Sequence, residues 1–429
     1  MPADRPHVFL ITCHDLGRHL PLYGASTVDA PNLSRLAAQG TTFDRAFTTA
    51  PQCSPSRAAL ATGRYPHANG MLGLAHFGWE LHESETHAAQ HFSALGYDPH
   101  LFGLQHVTGD VRRLGFAGVH ANGAGNGGAA TSATAPEVAD AVVAHLSGPL
   151  DTPLYAEINF FEPHRPYDFG DARPDDRLGV DLPPWVPDGS PAREEFAALQ
   201  GAIRVLDTAV GRILSAIEDA GIADDSIVVF TTDHGLAMPR AKCTLYDPGV
   251  ETALTVRWPS GGVAAGRRVG ELVSNIDLLP TLLSAVGAEV PETMHGRSFL
   301  PLLRGAAYQP RTEVFAEKTF HSYYDPMRSV RTERYCYVRN FENGFLVEVP
   351  GDIQLGAIFR ADPGRYSADR PAIRELYDLA ADPGQTANVA DDPAYAEVVA
   401  DLDARLREHM VATDDPLCDG PVTSPPYRR

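Results

Sequence analysis

An alternation constrains this chain more than any other feature. Up to residue 301, apolar runs of strand length recur, separated by stretches with helical spacing. Residues 7–13, 97–102, 153–161, 226–231 and 253–257 read as strands; 32–39, 53–62, 86–95, 136–146, 192–220 and 276–286 read as helices. A helix between successive strands returns the chain so that the next strand starts in the same direction. The pattern therefore predicts an α/β fold with a mostly parallel sheet and helices on both faces. Stop signals agree, since Gly40, Gly63 and Gly96 follow three of the helices and Pro136 opens another. The longest helix carries Phe196, Leu199, Ile203, Leu206, Val210, Ile213, Leu214 and Ile217 at helical spacing, a stripe that belongs to the core.

After residue 301 the pattern changes. Segments 314–317, 328–339 and 375–379 look like strands and 395–409 like a helix, which predicts a small antiparallel sheet with one packed helix. A chain of 429 residues exceeds one ordinary core, so a larger α/β domain over 1–305 and a smaller α+β domain over 306–429 are expected. Only the Gly/Ala-rich stretch 121–130 has the composition of a disordered segment. There is no internal repeat.

A formal charge of −20 argues against duplex nucleic acid as a partner, because binding a phosphate backbone needs a basic surface. It also disfavours a long anionic polymer over a small or chain-end substrate that enters a locally positive pocket. Five scattered cysteines, an odd number with no CxxC pair, argue against both a disulfide framework and structural zinc. The N-terminus passes straight into an apolar run with no basic leader, and no segment could span a bilayer, so a cytoplasmic location is expected.

The reactive side chains follow the strands. His14 and Asp15 come after the first, His106 after the second, His164 after the third, and Asp233 and His234 after the fourth. Ligands of open α/β sheets collect outside the carboxyl ends of the strands, so these groups should meet in one crevice. Asp15 and Asp233 could each be an ordinary strand-ending turn residue. Together they place two acids at one point with no counter-charge, a cost that a hard cation removes, Ca²⁺ or alternatively Mg²⁺ or Mn²⁺, with His234 beside it.

Cys53-Ser54-Pro55-Ser56-Arg57 opens the 53–62 helix. Pro55 suits a first turn and Ser54 can cap its free amides, which places Cys53 where exposed N–H groups and the helix dipole favour an anion or a nucleophilic oxygen. Arg57, four residues on, shares that face. A buried structural cysteine is the plain alternative.

The run C-x-P-x-R followed by Leu60-Ala61-Thr62-Gly63-Arg64 resembles the signature of type I sulfatases. His14-Asp15-Leu16-Gly17, Asp233-His234-Gly235 and the segment from Lys242 through Tyr246 to Gly249 extend the likeness along the chain. Within the family the heparan N-sulfatase branch is most similar, through Asn69-Gly70-Met71, Glu162-Pro163-His164-Arg165, Pro326-Met327-Arg328-Ser329-Val330 and Asp414-Asp415-Pro416. The resemblance implies an alkaline-phosphatase-like fold, glycosaminoglycan-type substrates and a homodimer. It also implies oxidation of Cys53 to formylglycine by a formylglycine-generating enzyme, and a metal held by Asp15, Asp233, His234 and residue 53.

By the same resemblance, Arg57 and the metal stabilise the attacking oxygen, Lys242 and His164 hold the transferred SO₃ group, and His106 serves the second half-reaction; the two histidines could exchange roles. His76, His321, Tyr324 and Arg328 are substrate-binding candidates, because the N-sulfatase-like runs surround them. Two positions depart from the family. His14 replaces the first Asp of a pair, and since successive side chains in an extended segment point apart, only Asp15 is assigned as a ligand. Leu104 replaces a sulfate-binding Lys. His14 either supplies the missing positive charge at the substrate or hydrogen-bonds the backbone. The expected activity is hydrolysis of a sugar sulfamate or sulfate ester. A phosphodiester or phosphonate hydrolase and a non-catalytic sulfated-sugar binder are the alternatives.

Overall fold

The structure is a computed structural model that describes residues 5–122, 132–342, 344, 347–366 and 372–425; most of the Gly/Ala-rich stretch 121–130 lies outside them. Its strands are His7–Cys13 (β1), Thr41–Phe43 (β2), Ala46–Phe47 (β3), Asp98–Gly103 (β4), Gly118–His120 (β5), Leu154–Asn159 (β6), Ser226–Thr232 (β7), Glu251–Thr252 (β8), Leu254–Arg257 (β9), Arg267–Val269 (β10), Val273–Ser274 (β11), Glu313–Phe320 (β12), Tyr324–Thr332 (β13), Tyr335–Asn340 (β14) and Arg374–Asp378 (β15).

Eight of them form one mixed sheet in the order β10-β2-β9-β7-β1-β6-β4-β5. The run β7-β1-β6-β4-β5 is parallel throughout, and β9 is antiparallel to both neighbours. Side chains alternate across β1. Phe9 and Ile11 point into a core with helices Pro31–Gln39, Ala135–Leu146 and Ser190–Asp219, while Val8 and Leu10 face helices Ala88–Ala94 and Leu278–Ala285. Burying each such side chain contributes roughly 1.5–3 kcal/mol. Because β1, β4, β6 and β7 are parallel and adjacent, their carboxyl ends open on the same edge of the sheet.

The 192–220 stripe forms a helix from Ser190 to Asp219 with every residue of the stripe buried. A small second sheet, β11-β3-β8, flanks the large one. The C-terminal sheet, β12-β13-β14-β15, is fully antiparallel. One face packs Val330, Tyr337 and Leu376 against Leu402, Leu406 and Met410 of helix Ala396–Ala412; the other packs Val314, Cys336 and Val338 against Phe47, Leu245 and Val250 of the main body.

Segment 328–339, expected as one strand, is the end of β13 and most of β14, joined by a hairpin at Glu333 and Arg334. Glu333 and Arg334 bring none of the Gly, Pro, Asn or Asp residues that mark a tight turn, which concealed the reversal. Among the described residues no helix is long and apolar enough to cross a membrane.

Candidate active site

The carboxyl ends of β1, β4, β6 and β7 deliver His14 and Asp15, His106, His164, and Asp233 and His234 to one place, and the helix Cys53–Thr62 aims its first residue at the same point. Cys53 is buried, with its Sγ atom 3.4 Å from His234 Nε2. The helix stops at Gly63, whose φ of 68° lets its N–H reach back to the Ala59 carbonyl. Ser54 caps nothing here. Gln52 holds the cap position, and the Ser54 hydroxyl accepts the Ala75 N–H at 3.0 Å, fastening the helix to the loop that carries His76.

Asp15 overturns one expectation. Its backbone is left-handed, with φ of 54°, so the alternation of β1 ends there and His14 and Asp15 both face the crevice. Asp15 Oδ2 accepts from Lys242 Nζ at 2.9 Å, and Oδ1 stands 3.0 Å from His234 Nε2. Asp233 Oδ1 accepts the backbone N–H groups of Asp15 and His234 at 3.0 and 2.8 Å; its Oδ2 meets Arg57 Nε at 3.2 Å and His14 Nδ1 at 3.1 Å. Arg57 thus touches the carboxylate beside Cys53.

The residues fit a divalent cation. His234 Nδ1–H donates to the Gly235 carbonyl at 3.0 Å, which leaves the Nε2 lone pair directed at Asp15 and Cys53. Asp15 Oδ1 faces that nitrogen, and His14 Nε2 is buried without a hydrogen bond. An imidazole lone pair facing buried carboxylates is unfavourable unless a positive charge sits between them. In the ion-free protein a proton takes that role: burial opposes it, but Asp233, Cys53 and Asp15 push the His234 imidazole up to about 10.

Burial would likewise raise the Cys53 thiol, yet Lys242, His14 and His234 more than reverse this and hold it well below the usual thiol range. Lys242 is pulled down by burial and lifted well above its ordinary value by Asp15, Asp352 and Cys53. His14 is pushed down by burial and Arg57, but Asp233 and the Cys53 sulfur win and raise it.

Lys242 Nζ also lies 3.4 Å from His164 Nε2 and 3.4 Å from Asp352 Oδ2. His164 Nδ1–H donates to the Arg165 carbonyl at 2.6 Å, so Nε2 is its working atom. His106 Nε2 is 3.3 Å from His76 Nδ1, the two rings are stacked, and burial lowers the His106 imidazole. His76 is exposed at the rim and falls to about 4 through partial burial and the neighbouring His106. His321 is close enough to lower both His76 and Asp352, although its Nδ1 engages Ser322 and stands 3.5 Å from Glu348. Asp352, on the short helix Gly351–Gln354, is a site residue that sequence reading missed; it follows no strand and belongs to no recognisable run. Leu104 is buried and brings no charge.

Two substrate-binding candidates are corrected. Arg328 is 2% exposed, and its guanidinium is committed to Asp415, the Lys318 and Met327 carbonyls and Thr319 Oγ1, which leaves nothing for a substrate. The Tyr324 hydroxyl accepts the Val422 N–H at 3.2 Å and its ring packs on Phe320. A roomier cleft of about 960 Å³, lined by residues such as Arg45, Arg311, Tyr335 and Arg405, lies away from these groups.

Residues 6–288 match the family model "Sulfatase", and the chain belongs to that family: it is a hydrolase. Residues 234–352 match "N-sulphoglucosamine sulphohydrolase, C-terminal". Human N-sulphoglucosamine sulphohydrolase is 29% identical over 97% of this chain and 92% of its own length. Among solved structures, the phosphonate monoester hydrolase from Silicibacter pomeroyi superposes with a TM-score of 0.73 at 23% identity, covering 96% of both chains. A protein solved with its substrate D-glucosamine-2-N,6-O-disulfate gives 0.74 at 17% identity, covering 96% of this chain and 98% of that one.

Proposed function

We propose that this crevice hydrolyses the sulfamate of an N-sulfoglucosamine-like sugar at a chain end, with sulfate esters as poorer substrates. The observation that carries the reading is the meeting of Cys53 with His234, Lys242 and two buried carboxylates at the carboxyl edge of the sheet. Human N-sulphoglucosamine sulphohydrolase, similar along nearly the whole chain, supports the choice of sulfamate.

Oxidised to formylglycine and hydrated, residue 53 would supply an oxygen nucleophile; Asp15, Asp233 and His234 would hold a divalent cation, whose positive charge would lower the pKa of that oxygen. Lys242 binds the SO₃ oxygens as negative charge grows there. As the sulfur–nitrogen bond breaks, the leaving nitrogen needs a proton. His164, lowered by burial in the free protein, would take up a proton at Nε2 when the anionic substrate enters beside it and give that proton to the leaving nitrogen. His106, buried and held neutral, is placed beside residue 53 to accept a proton when sulfate departs. His76, exposed at the rim, and His321, largely buried beside Glu348, are the candidates for the sugar, and Asp352 favours a substrate carrying one anionic group over a densely sulfated one.

A phosphonate or phosphodiester hydrolase remains a second reading because the Silicibacter enzyme shares the fold. Parallel turnover of N-sulfoglucosamine, an aryl sulfate and an aryl phosphonate monoester, with protein co-expressed with a formylglycine-generating enzyme, separates them. The sulfamate should give the highest kcat/KM; fastest turnover of the phosphonate ester would overturn the proposal.

A further inference from the structure

A second group of potential ligands lies at the outer edge of the large sheet. His100 on β4 pairs in register with Gly118 on the edge strand β5, and Phe102 pairs with His120. His100 and His120 therefore project from the same face, which helix Ala135–Leu146 covers, bringing His145 from its last turn. One nitrogen from each imidazole falls within 4.8 Å of the other two. The His100 and His145 ring centroids are 4.3 Å apart, and those of His120 and His145 are 5.7 Å apart.

The hydrogen bonds sort the nitrogens. His100 Nε2–H donates to Asp98 Oδ2 at 3.0 Å, which directs the Nδ1 lone pair at His120 Nε2, 2.8 Å away. A carboxylate on the far nitrogen is the arrangement that orients a metal-binding imidazole and makes it more basic. His145 Nε2 is buried with no hydrogen-bond partner. The backbone also keeps the space open. A Cβ on Gly118 would stand 2.4 Å from His100 Nδ1 and 2.8 Å from His120 Nε2.

We propose that His100, His120 and His145 bind one divalent transition metal of the kind that prefers imidazole, zinc foremost, and that this ion ties edge strand β5 to β4 and the covering helix. Three imidazoles with no carboxylate or carbonyl in the donor set select Zn²⁺, Ni²⁺ or Cu²⁺ over Ca²⁺ and Mg²⁺, which sets this site apart from the oxygen-rich crevice. Zinc–nitrogen bonds of about 2.0–2.1 Å put two ligand nitrogens roughly 3.3 Å apart on a tetrahedral ion. The pair at 2.8 Å must open slightly while His145 closes. The proton that His120 Nε2 now donates to His100 Nδ1 moves by exchange with solvent to His120 Nδ1, so that a neutral imidazole presents Nε2 to the metal. The last-turn carbonyls of the helix favour a cation beside His145.

The test uses the full chain carrying Asp233→Asn, which removes a ligand from the crevice, stripped with chelator and titrated with ZnCl₂ by calorimetry. One zinc per chain is expected. Binding should weaken at least about 10-fold on adding His145→Gln or, separately, Gly118→Ala, which fills the space without removing a ligand. In an otherwise wild-type chain, His145→Gln should lower bound zinc by one equivalent and leave sulfatase turnover unchanged. Absence of zinc binding in the Asp233→Asn protein, or zinc binding that survives both added substitutions, would overturn the proposal. Co²⁺ in place of zinc adds a spectroscopic check that needs no folding comparison: visible bands of a four-coordinate site are expected, and an octahedral spectrum would contradict three-imidazole binding.

Discussion

The crevice and the C-terminal sheet both bury charge, and they do so in opposite ways. In the C-terminal sheet Arg328 is wrapped by Asp415, two carbonyls and a threonine hydroxyl, and Lys318 Nζ donates to Asp325 at 2.6 Å and to the Cys243 carbonyl at 3.2 Å. In the crevice Arg57 Nη2, His106 Nδ1 and His14 Nε2 are buried without a hydrogen bond. Burial and charge alone do not mark a reactive site. Atoms held away from water without partners do, because their cost is offset only when a ligand arrives.

The histidines repeat the contrast. Carboxylates drive His234 up to about 10, whereas His409, stacked flat on Phe315 at 3.8 Å, is driven down to about 3 by burial and by the nearby His67.

The comparison can be broken at several points. Cys53→Ala should abolish turnover, by about 10³-fold or more, and leave the thermal unfolding midpoint nearly unchanged, since a small side chain leaves a polar crevice. Arg328→Ala should do the reverse. It strands Asp415 in the interior and costs about 3–5 kcal/mol, read by chemical denaturation, while kcat per folded molecule stays the same. A loss of kcat in that variant, with stability intact, would return Arg328 to the substrate. Lys242→Ala should cut kcat/KM by about 10²-fold or more in steady-state assays, with the loss mainly in kcat if it serves the transition state.

The smallest effect concerns pH. His409 has a folded pKa below its unfolded value of about 6.5, so its contribution to stability is complete above that pH and is lost as pH falls toward about 3. His409→Phe should therefore shrink the acid-induced drop in melting temperature by roughly 2–4 °C, measured by calorimetry between pH 7 and pH 4.

Much of this was legible in the sequence, for identifiable reasons. Asp15, His106, His164, Asp233 and His234 were found because parallel strands align their carboxyl ends, so position in the chain predicts position in space. Cys53 and Arg57 were found from the five-residue helix start over 53–57 together with the family resemblance that this run carries. The failures share one cause: what a side chain meets is set by tertiary packing that the local sequence does not carry. The left-handed turn at Asp15 put His14 in the site against the alternation rule. Arg328 lies in a run that resembles substrate-binding segments, yet strand β13 points it into the sheet. Asp352 reaches Lys242 from a distant short helix, a contact made by tertiary folding alone.

The most direct measurement is mass analysis of the peptide containing Cys53, made on protein co-expressed with a formylglycine-generating enzyme and paired with turnover of N-sulfoglucosamine by the same preparation. An aldehyde at position 53, with activity rising in proportion to the converted fraction, is the predicted result. Sulfamate turnover by protein whose Cys53 is wholly unmodified thiol, or a fully converted residue with no turnover of any sulfated sugar, would contradict the account.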